Sequence, residues 1–408
     1  MPFILLLRLA WRNLVRNLRR SLFGVGTIAV GVIGLVLAAG FIQDVFEQLG
    51  EATISGQLGH IQVLRQGFRE GGSGSPQDFL IAEAGALKRD IAAGDGVREV
   101  MGRLSFSGVL AFNGAELAIE AQGIEPDPEA RLGTLLQMLE GRTLRDADDF
   151  GVLLGEGVAK ALKAHPGDTV SVTAPTLDGS LNLLDLDVLG VFRSFAKDYD
   201  DRAIRMPLAA AQELVQTDAV NALVVQLQRT SDMRAALVRL RAGLDAASLE
   251  AVPWYELSDF YTNTRLMYER QFGFLQVIAL LLVIMSVLNS LNMTVFERTA
   301  EFGTMRVLGN RGAQVVKLIV IEGFLLGVAG ALIGLLAAVL AAWLISAVGI
   351  PMPPPPNMES GYTARVTLTG LAMAQAFAIG VVSATAASVL PALRFLRVPL
   401  PETLRRAV

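Results

Sequence analysis

The chain has 408 residues, 52% of them hydrophobic and 18% charged, with no cysteine and only two histidines, His60 and His165. Globular averages are ~45–50% apolar and ~25% charged, so this excess excludes disorder, argues against an ordinary soluble enzyme and marks a membrane protein; the missing cysteines remove disulfides and thiolate sites. The net charge of −4 hides a block, residues 50–265, with 31 acidic and 20 basic side chains, against 8 and 15 elsewhere, and an acidic block of that size argues against nucleic acid as its partner.

In chain order, residues 1–20 place Arg8, Arg12, Arg16 and Arg20 every four positions, one stripe of a helix whose apolar face is Leu7, Trp11, Leu14, Val15 and Leu18. That pattern predicts a cytoplasmic amphipathic helix against anionic lipid, or simply a basic topology signal. Residues 21–43 carry no charge, and the 23-residue window is too long for the ~7–15-residue core of a signal peptide. Residues 21–49 are therefore read as the first transmembrane helix with an outer extension. Gly24-Val25-Gly26-Thr27-Ile28-Ala29 matches a dinucleotide fingerprint as a string, but it has no strand before it and reads as helix packing.

Residues 50–258 read as a mixed α/β domain. Strand-like composition marks 115–122, 169–174 and 221–227. Residues 150–164 suggest a strand turning into a helix through Gly155 and Gly157, 231–244 has helical periodicity, and 71–76 is a flexible loop. Further spans follow at 259–296 (with its outer extension), at 318–348 and at 366–393. Between them lie a polar segment, 297–317, and a Pro-rich loop, 349–365, and a tail covers 394–408. The prolines Pro351 and Pro353–Pro356 stop the third helix near Val348. Lysine and arginine concentrate in 1–20, 297–317 and the tail, which predicts these segments on the cytoplasmic side and both 50–258 and the Pro-rich loop outside.

Catalytic constellations are missing from the sequence. There is no Gly-Lys dipeptide and hence no phosphate-binding P-loop, and neither histidine has a partner at fixed spacing. The acid pairs Asp148-Asp149 and Asp200-Asp201 read as solvated loop positions. Residues 297–336, ERTAEFGTMRVLGNRGAQVVKLIVIEGFLLGVAGALIGLL, are more informative. Glu297 and Glu301 share a helix face, Phe302 and Met305 another, Gly303 permits close approach and Gly309 reads as the stop. A short helix with acidic and apolar faces suits insertion into a partner's groove, whereas a solvated turn leaves Phe302, Met305 and Leu308 unexplained. Gly323-x-x-x-Gly327 and Gly330-x-x-x-Gly334 predict close helix packing, with Gly380 and Ala384 likewise on the fourth span. Glu322, one turn inside the membrane edge, is expected to pair with an arginine of the N-terminal helix.

The same segment resembles the cytoplasmic loop of the MacB/FtsX superfamily of ABC transporter permeases, also called type VII. Glu297, Arg298, Glu301, Gly303, Leu308, Gly309, Glu322 and Gly323 fill that family's pattern, with Phe302 where an aliphatic residue is usual. Ala10-Trp11-Arg12-Asn13-Leu14, Gly123-Ile124-Glu125-Pro126, Leu154-Gly155-Glu156, Gly167-Asp168-Thr169-Val170, Gly190-Val191-Phe192 and Pro401-Glu402-Thr403-Leu404-Arg405 extend the resemblance over most of the chain.

The resemblance implies an α-helical membrane protein with four transmembrane helices and a large mixed α/β periplasmic domain inserted between helices 1 and 2. It implies a permease of the bacterial inner membrane with both termini cytoplasmic. Such a permease is not an enzyme and binds no cofactor, because ATP and Mg are held by two copies of a separate ABC ATPase. That ATPase would grip Glu297, Arg298, Glu301, Phe302, Gly303, Met305, Leu308 and Gly309, and helical extensions would pass force to the periplasmic domain. A second permease copy or a sister permease completes a dimer in this family. Length and layout are most like the lipoprotein-releasing permeases LolC and LolE, which implies a lipoprotein or amphiphilic substrate and a periplasmic lipoprotein chaperone or adaptor. MacB-like efflux and FtsX-like signalling members are the alternatives. For a lipid-bearing substrate, acyl chains would enter between spans one and two past Phe41, Val45, Phe46, Met267, Phe272 and Leu275, residues that equally suit membrane lipid or a dimer partner.

Overall fold

The computed structural model describes residues 3–16, 18–71, 79–131, 136–145, 148, 150–194, 197–352 and 362–396. In chain order the elements are α1 (Phe3–Arg16), α2 (Leu18–Thr53), a π-turn (Ile54–Leu58), β1 (Ile61–Arg65), α3 (Phe68–Gly71), α4 (Ala84–Ala92), β2 (Val97–Phe112) and β3 (Ala115–Ile124). Next come α5 (Pro126–Arg131), β4 (Gln137–Gly141), β5 (Gly151–Gly155), α6 (Glu156–Leu162), β6 (Thr169–Pro175), β7 (Leu181–Arg193), α7 (Lys197–Asp200) and β8 (Ala203–Pro207). They are followed by α8 (Leu208–Val215), β9 (Ala222–Leu227), α9 (Met233–Gly243), β10 (Leu249–Pro253), α10 (Trp254–Leu257), α11 (Asp259–Glu297) and α12 (Thr299–Val307). The last are α13 (Gly312–Val348), the short strands β11 (Ile350–Met352) and β12 (Tyr362–Ala364), and α14 (Gly370–Leu396).

These elements form two units, residues 1–46, 264–351 and 363–408 in one, and 47–263 with 352–362 in the other. Among the described residues of the first unit, four helices are long and apolar enough to cross a membrane: α2, α11, α13 and α14. Ile28, Val32 and Val36 of α2 pack with Val283, Val287 and Leu291 of α11, Leu326 and Ala331 of α13, and Ala384 and Ala387 of α14. Phe274, Leu282, Met285, Leu336 and Trp343 point outward, more than half exposed, as side chains in hydrocarbon do.

The glycines of α13 lie on one stripe, and two neighbours use it in turn. A Cβ on Gly323 would meet Ser388 Cβ at 2.5 Å, and one on Gly327 would meet Ala384 Cβ at 3.0 Å, so this half carries α14. On Gly330 it would meet Ile28 Cβ at 2.7 Å, and on Gly334 the Ala29 carbonyl at 2.9 Å, so the other half carries α2. The fingerprint-like string around Ile28 is thus the surface against which α13 packs. Before α14, residues 365–369 are not helical, although the uncharged window begins at 366. Asp44 explains the delay: it accepts the Arg365 N–H at 2.9 Å and the Thr367 hydroxyl at 3.3 Å, while Thr367 N–H donates to the Gly40 carbonyl at 3.1 Å.

The inserted unit is a continuous ten-stranded sheet. The expected strands lie in β3, β6 and β9, the strand-to-helix segment is β5 with α6, and the periodic segment is α9. Residues 72–76 of the flexible loop lie outside the described residues. Val170, Val172 and Ala174 of β6 are buried while Thr169, Ser171 and Thr173 alternate with them, the period of a strand with one wet face. β2 pairs with β6 and β3, β3 with β8, β8 with β5, β5 with β7, and β7 with β6, closing a ring of six strands. Leu110, Leu154, Val172, Leu186 and Ile204 fill it. The first half of β2 instead pairs with β9 in the run β10-β1-β9-β2, whose core Val63, Val100, Leu223 and Val225 is shared with Ile91 of α4 and Leu237 of α9. At the β2–β3 turn Asn113 and Gly114 both have positive φ (50° and 79°), the tight hairpin that an Asn-Gly pair favours.

Candidate functional site

Arg298 is the one residue between α11 and α12. Its carbonyl accepts the Phe302 N–H at 3.0 Å and opens α12, while its side chain turns inward and is 7% exposed. Nε donates to Glu301 Oε2 at 2.8 Å, and Nη1 to both oxygens of Glu322 at 3.1 and 3.3 Å. The guanidinium carbon also sits 4.8 Å from the Phe302 ring centre, a cation–π contact. Glu322, 4% exposed on α13, further accepts a bond from Asn13 Nδ2 at 2.6 Å. Glu301 accepts one from Arg16 Nη2 at 2.5 Å. Two guanidiniums and two carboxylates thus balance across three helices.

The structure gives Glu322 a different partner from the arginine of the N-terminal helix that was expected. Arg298 fills that role, and α1 supplies an amide instead of an arginine. The reason is the orientation of α1: Leu6 and Ala10 are buried against Val315, Leu318 and Ile319 of α13, which brings Asn13 to the same side. The face expected to be apolar points away, with Leu7, Trp11, Val15 and Leu18 exposed and Leu14 half-buried; Arg8, Arg12 and Arg16 are exposed as well.

Phe302 also departs from expectation. It is fully buried, edge-on to Phe395 at 5.4 Å between ring centres, and Met305 packs against the same cluster. Nine residues of helix need an anchoring face, and Phe302, Gly303 and Met305 provide it from beneath. The outward surface consists of Glu297, Glu301, Val307, Leu308 (78% exposed) and Gly309, whose φ of +92° ends the helix. Burial alone would raise the Glu301 carboxyl, but the bond and charge of Arg298, then those of Arg16, outweigh it and hold the group below its ordinary range.

The residues proposed to line a lipid path are only partly together. Phe46 is buried and meets Tyr268 of α11 edge-on at 5.6 Å. Phe41, Val45 and Phe272 are half-buried, whereas Met267 and Leu275 are about half exposed. The described residues bring α2 and α11 side by side at Phe46 but give the six side chains no common cavity wall.

Sequence reasoning missed the buried polar groups of the inserted unit. Arg205, 0% exposed on β8, donates to Tyr199 Oη at 3.1 Å, Glu129 Oε1 at 3.2 Å and the Gly56 carbonyl at 2.9 Å. Arg103 donates to the same Glu129 at 3.1 and 3.2 Å. A charge inside the otherwise apolar run of β8 was the available signal. His60 is buried too, with Nδ1 3.0 Å from Gln226 and Nε2 3.1 Å from Thr230, whose hydroxyl donates to Glu51 at 2.7 Å. His165 has Glu140 at 3.3 Å. Of the acid pairs, Asp200 is not solvated: it is buried and accepts the Ser194 N–H at 3.0 and 2.9 Å, because it closes the turn into α7. Asp201 pairs with Lys197 at 3.2 Å and Asp148 with Arg142 at 2.6 Å, while Asp149 lies outside the described residues. Near the ends of α2 and α11, Trp254 lies against Gly50, where a Cβ would meet its ring at 3.0 Å, and crosses Tyr261 at 4.5 Å.

Two family models match the chain, "MacB-like periplasmic core domain" over residues 21–242 and "FtsX-like permease C-terminal" over 273–400. Among curated proteins, the lipoprotein-releasing system transmembrane protein LolC of Neisseria meningitidis is 21% identical over 342 residues, 80% of this chain and 78% of that one. LolC of Xylella fastidiosa is 23% identical over 229 residues, 54% of this chain and 55% of its own length. An uncharacterized ABC transporter permease protein of Mycobacterium tuberculosis is 25% identical over 98% of this chain and 45% of its own length. The chain thus spans about half the length of two of these relatives. A crystal structure of the periplasmic region of MacB from Actinobacillus actinomycetemcomitans aligns with a TM-score of 0.36 at 14% identity, covering 48% of this chain and 89% of that one. With the core-domain model covering more than half of the sequence, and the permease model falling on the helices that hold α12, the chain belongs to the MacB/FtsX family of ABC transporter permeases.

Proposed function

We propose that this permease couples ATP hydrolysis in a separate ATPase subunit to movement of its periplasmic core domain, and that the movement extracts lipoproteins from the inner membrane. In this reading both termini and α12 face the cytoplasm, where two ATPase copies hold ATP and Mg and dock on Glu297, Glu301, Val307 and Leu308. A second permease, identical or a sister, completes the complex, and a periplasmic lipoprotein chaperone or adaptor receives the cargo. The observation that carries the lipoprotein assignment is the similarity to LolC along 80% of the chain. An anchored helix with an acidic edge and an exposed Leu308 supports the docking assignment.

The test is cargo release. The chain and its co-purifying ATPase are reconstituted in liposomes that carry a triacylated lipoprotein, and a soluble lipoprotein chaperone is added outside. ATP-dependent transfer to the chaperone is the expected result. Intact hydrolysis without transfer would refute lipoprotein release and move the assignment to efflux or to signalling toward a periplasmic partner.

A further inference from the structure

We infer that Arg298 is a positioning residue that fastens α1 to α12, so that the N-terminal helix moves with the coupling helix as one body. The inference rests on the coupling reading of α12 and assigns a role to a helix that this reading leaves idle.

Arg298 occupies the single-residue break between α11 and α12, where the direction of α12 is set. Its planar fork uses Nε for Glu301, inside α12, and Nη1 for Glu322, on α13. Each of those carboxylates then takes one further bond from α1: Asn13 to Glu322 at 2.6 Å and Arg16 to Glu301 at 2.5 Å. These donors are three apart on α1 and face the same way, so two points on that helix are fixed rather than one. Two points define an axis, and α1 cannot rotate without breaking one of them. The outer bond is exposed and contributes little alone, whereas the inner one is part-buried and ends on Glu322, which also holds the buried Arg298. Well-packed apolar residues hold helices together as firmly as a buried ion pair does. What the pair adds here is a directional link, and it lies where a load on α12 would arrive. The cluster of Leu6, Ala10, Phe302 and Val315 below the polar network keeps the three helices in contact when the polar links are removed.

The chain has no cysteine, so spin labels can be placed at will. Labels at Arg12→Cys and Thr304→Cys, both exposed, report the distance between α1 and α12 in the purified full chain. A single narrow distribution is expected, unchanged when the ATPase complex is trapped with nucleotide. Asn13→Leu with Arg16→Gln leaves Glu301 and the Arg298–Glu322 pair in place and cuts both links from α1. It should broaden the distribution and lower cargo-stimulated ATPase activity about tenfold, at unchanged basal activity. A nucleotide-dependent shift in the unmodified chain, or a distribution that stays narrow in the double variant, would overturn the inference. If the double variant does not accumulate, Arg298→Met with Glu322→Leu replaces the buried pair by apolar groups and should broaden the distribution in the same way. Because the distance is read without cargo, failure of lipoprotein release leaves this result standing.

Discussion

Replacing Arg205 by leucine tests how far the inserted domain depends on one buried cation. The guanidinium is 0% exposed and donates to Tyr199, Glu129 and the Gly56 carbonyl. Leucine leaves the Gly56 carbonyl without that donor inside the fold and takes one of two arginines from Glu129. Bonds to a charged group contribute about 1.5–3 kcal/mol each, and breaking a buried pair costs about 3–5 kcal/mol. Since Arg103 remains on Glu129, the carboxylate is not stranded, and the lower figure for a broken pair plus part of the carbonyl's loss gives about 3–5 kcal/mol. For a unit of this size that is about 6–20 °C in the unfolding midpoint. The control is Arg229→Leu, which removes an arginine 78% exposed in a 3.2 Å pair with Asp232, worth about 0–1 kcal/mol. Thermal unfolding of the full chain in detergent, followed by tryptophan fluorescence, compares the two. Equal shifts would refute the argument, because the buried network would then be no more valuable than a surface pair.

Three further outcomes follow from the geometry. Gly330→Ala should cost about 1–3 kcal/mol, because its Cβ meets Ile28 at 2.7 Å, while Gly26→Ala, with nothing within 4 Å, should not; matching midpoints would discount the packing stripe. Leu308→Arg should reduce co-purification of the ATPase with the midpoint nearly unchanged, whereas Phe302→Ala should cost about 3–5 kcal/mol in stability, and the reverse pattern would place the contact on the wrong side of α12. Burial pushes the His60 imidazole below its ordinary 6.5, against the Gln226 bond and the Glu51 charge. The folded chain then binds fewer protons than the unfolded chain just below pH 6.5, so stability should fall as pH drops through 6.5 toward the folded pKa. A pH titration of the midpoint should be flatter in His60→Gln, and an identical slope would remove His60 as its source.

The sequence made the four long helices legible because uncharged windows report burial in hydrocarbon directly. The strands within 115–122 and 169–174 were legible from their local composition. The orientation of α1 was not, since Leu6, Leu7, Ala10 and Trp11 share one broad apolar arc and do not say which part of it meets protein. Nor could spacing tell that Glu322 meets Arg298, 24 positions away, rather than Arg12 or Arg16. Phe302 was recognised as important for an apolar reason and assigned outward when it anchors inward. Contacts between distant segments decide such roles, and a local pattern does not encode them.

β2 has one more consequence. Its sixteen residues, at ~3.3 Å each, reach about 50 Å, and its two halves belong to different parts of the sheet. A strand shared in this way acts as a beam through both parts. Its hydrogen bonds to β3 and β9 lie across the pull, so tension along it loads many of them in shear together instead of opening them one by one. The ring around Leu110 has no free edge at which peeling could begin. Displacement at one end of β2 therefore reaches the Asn113-Gly114 turn at the other as translation, with little lost to bending.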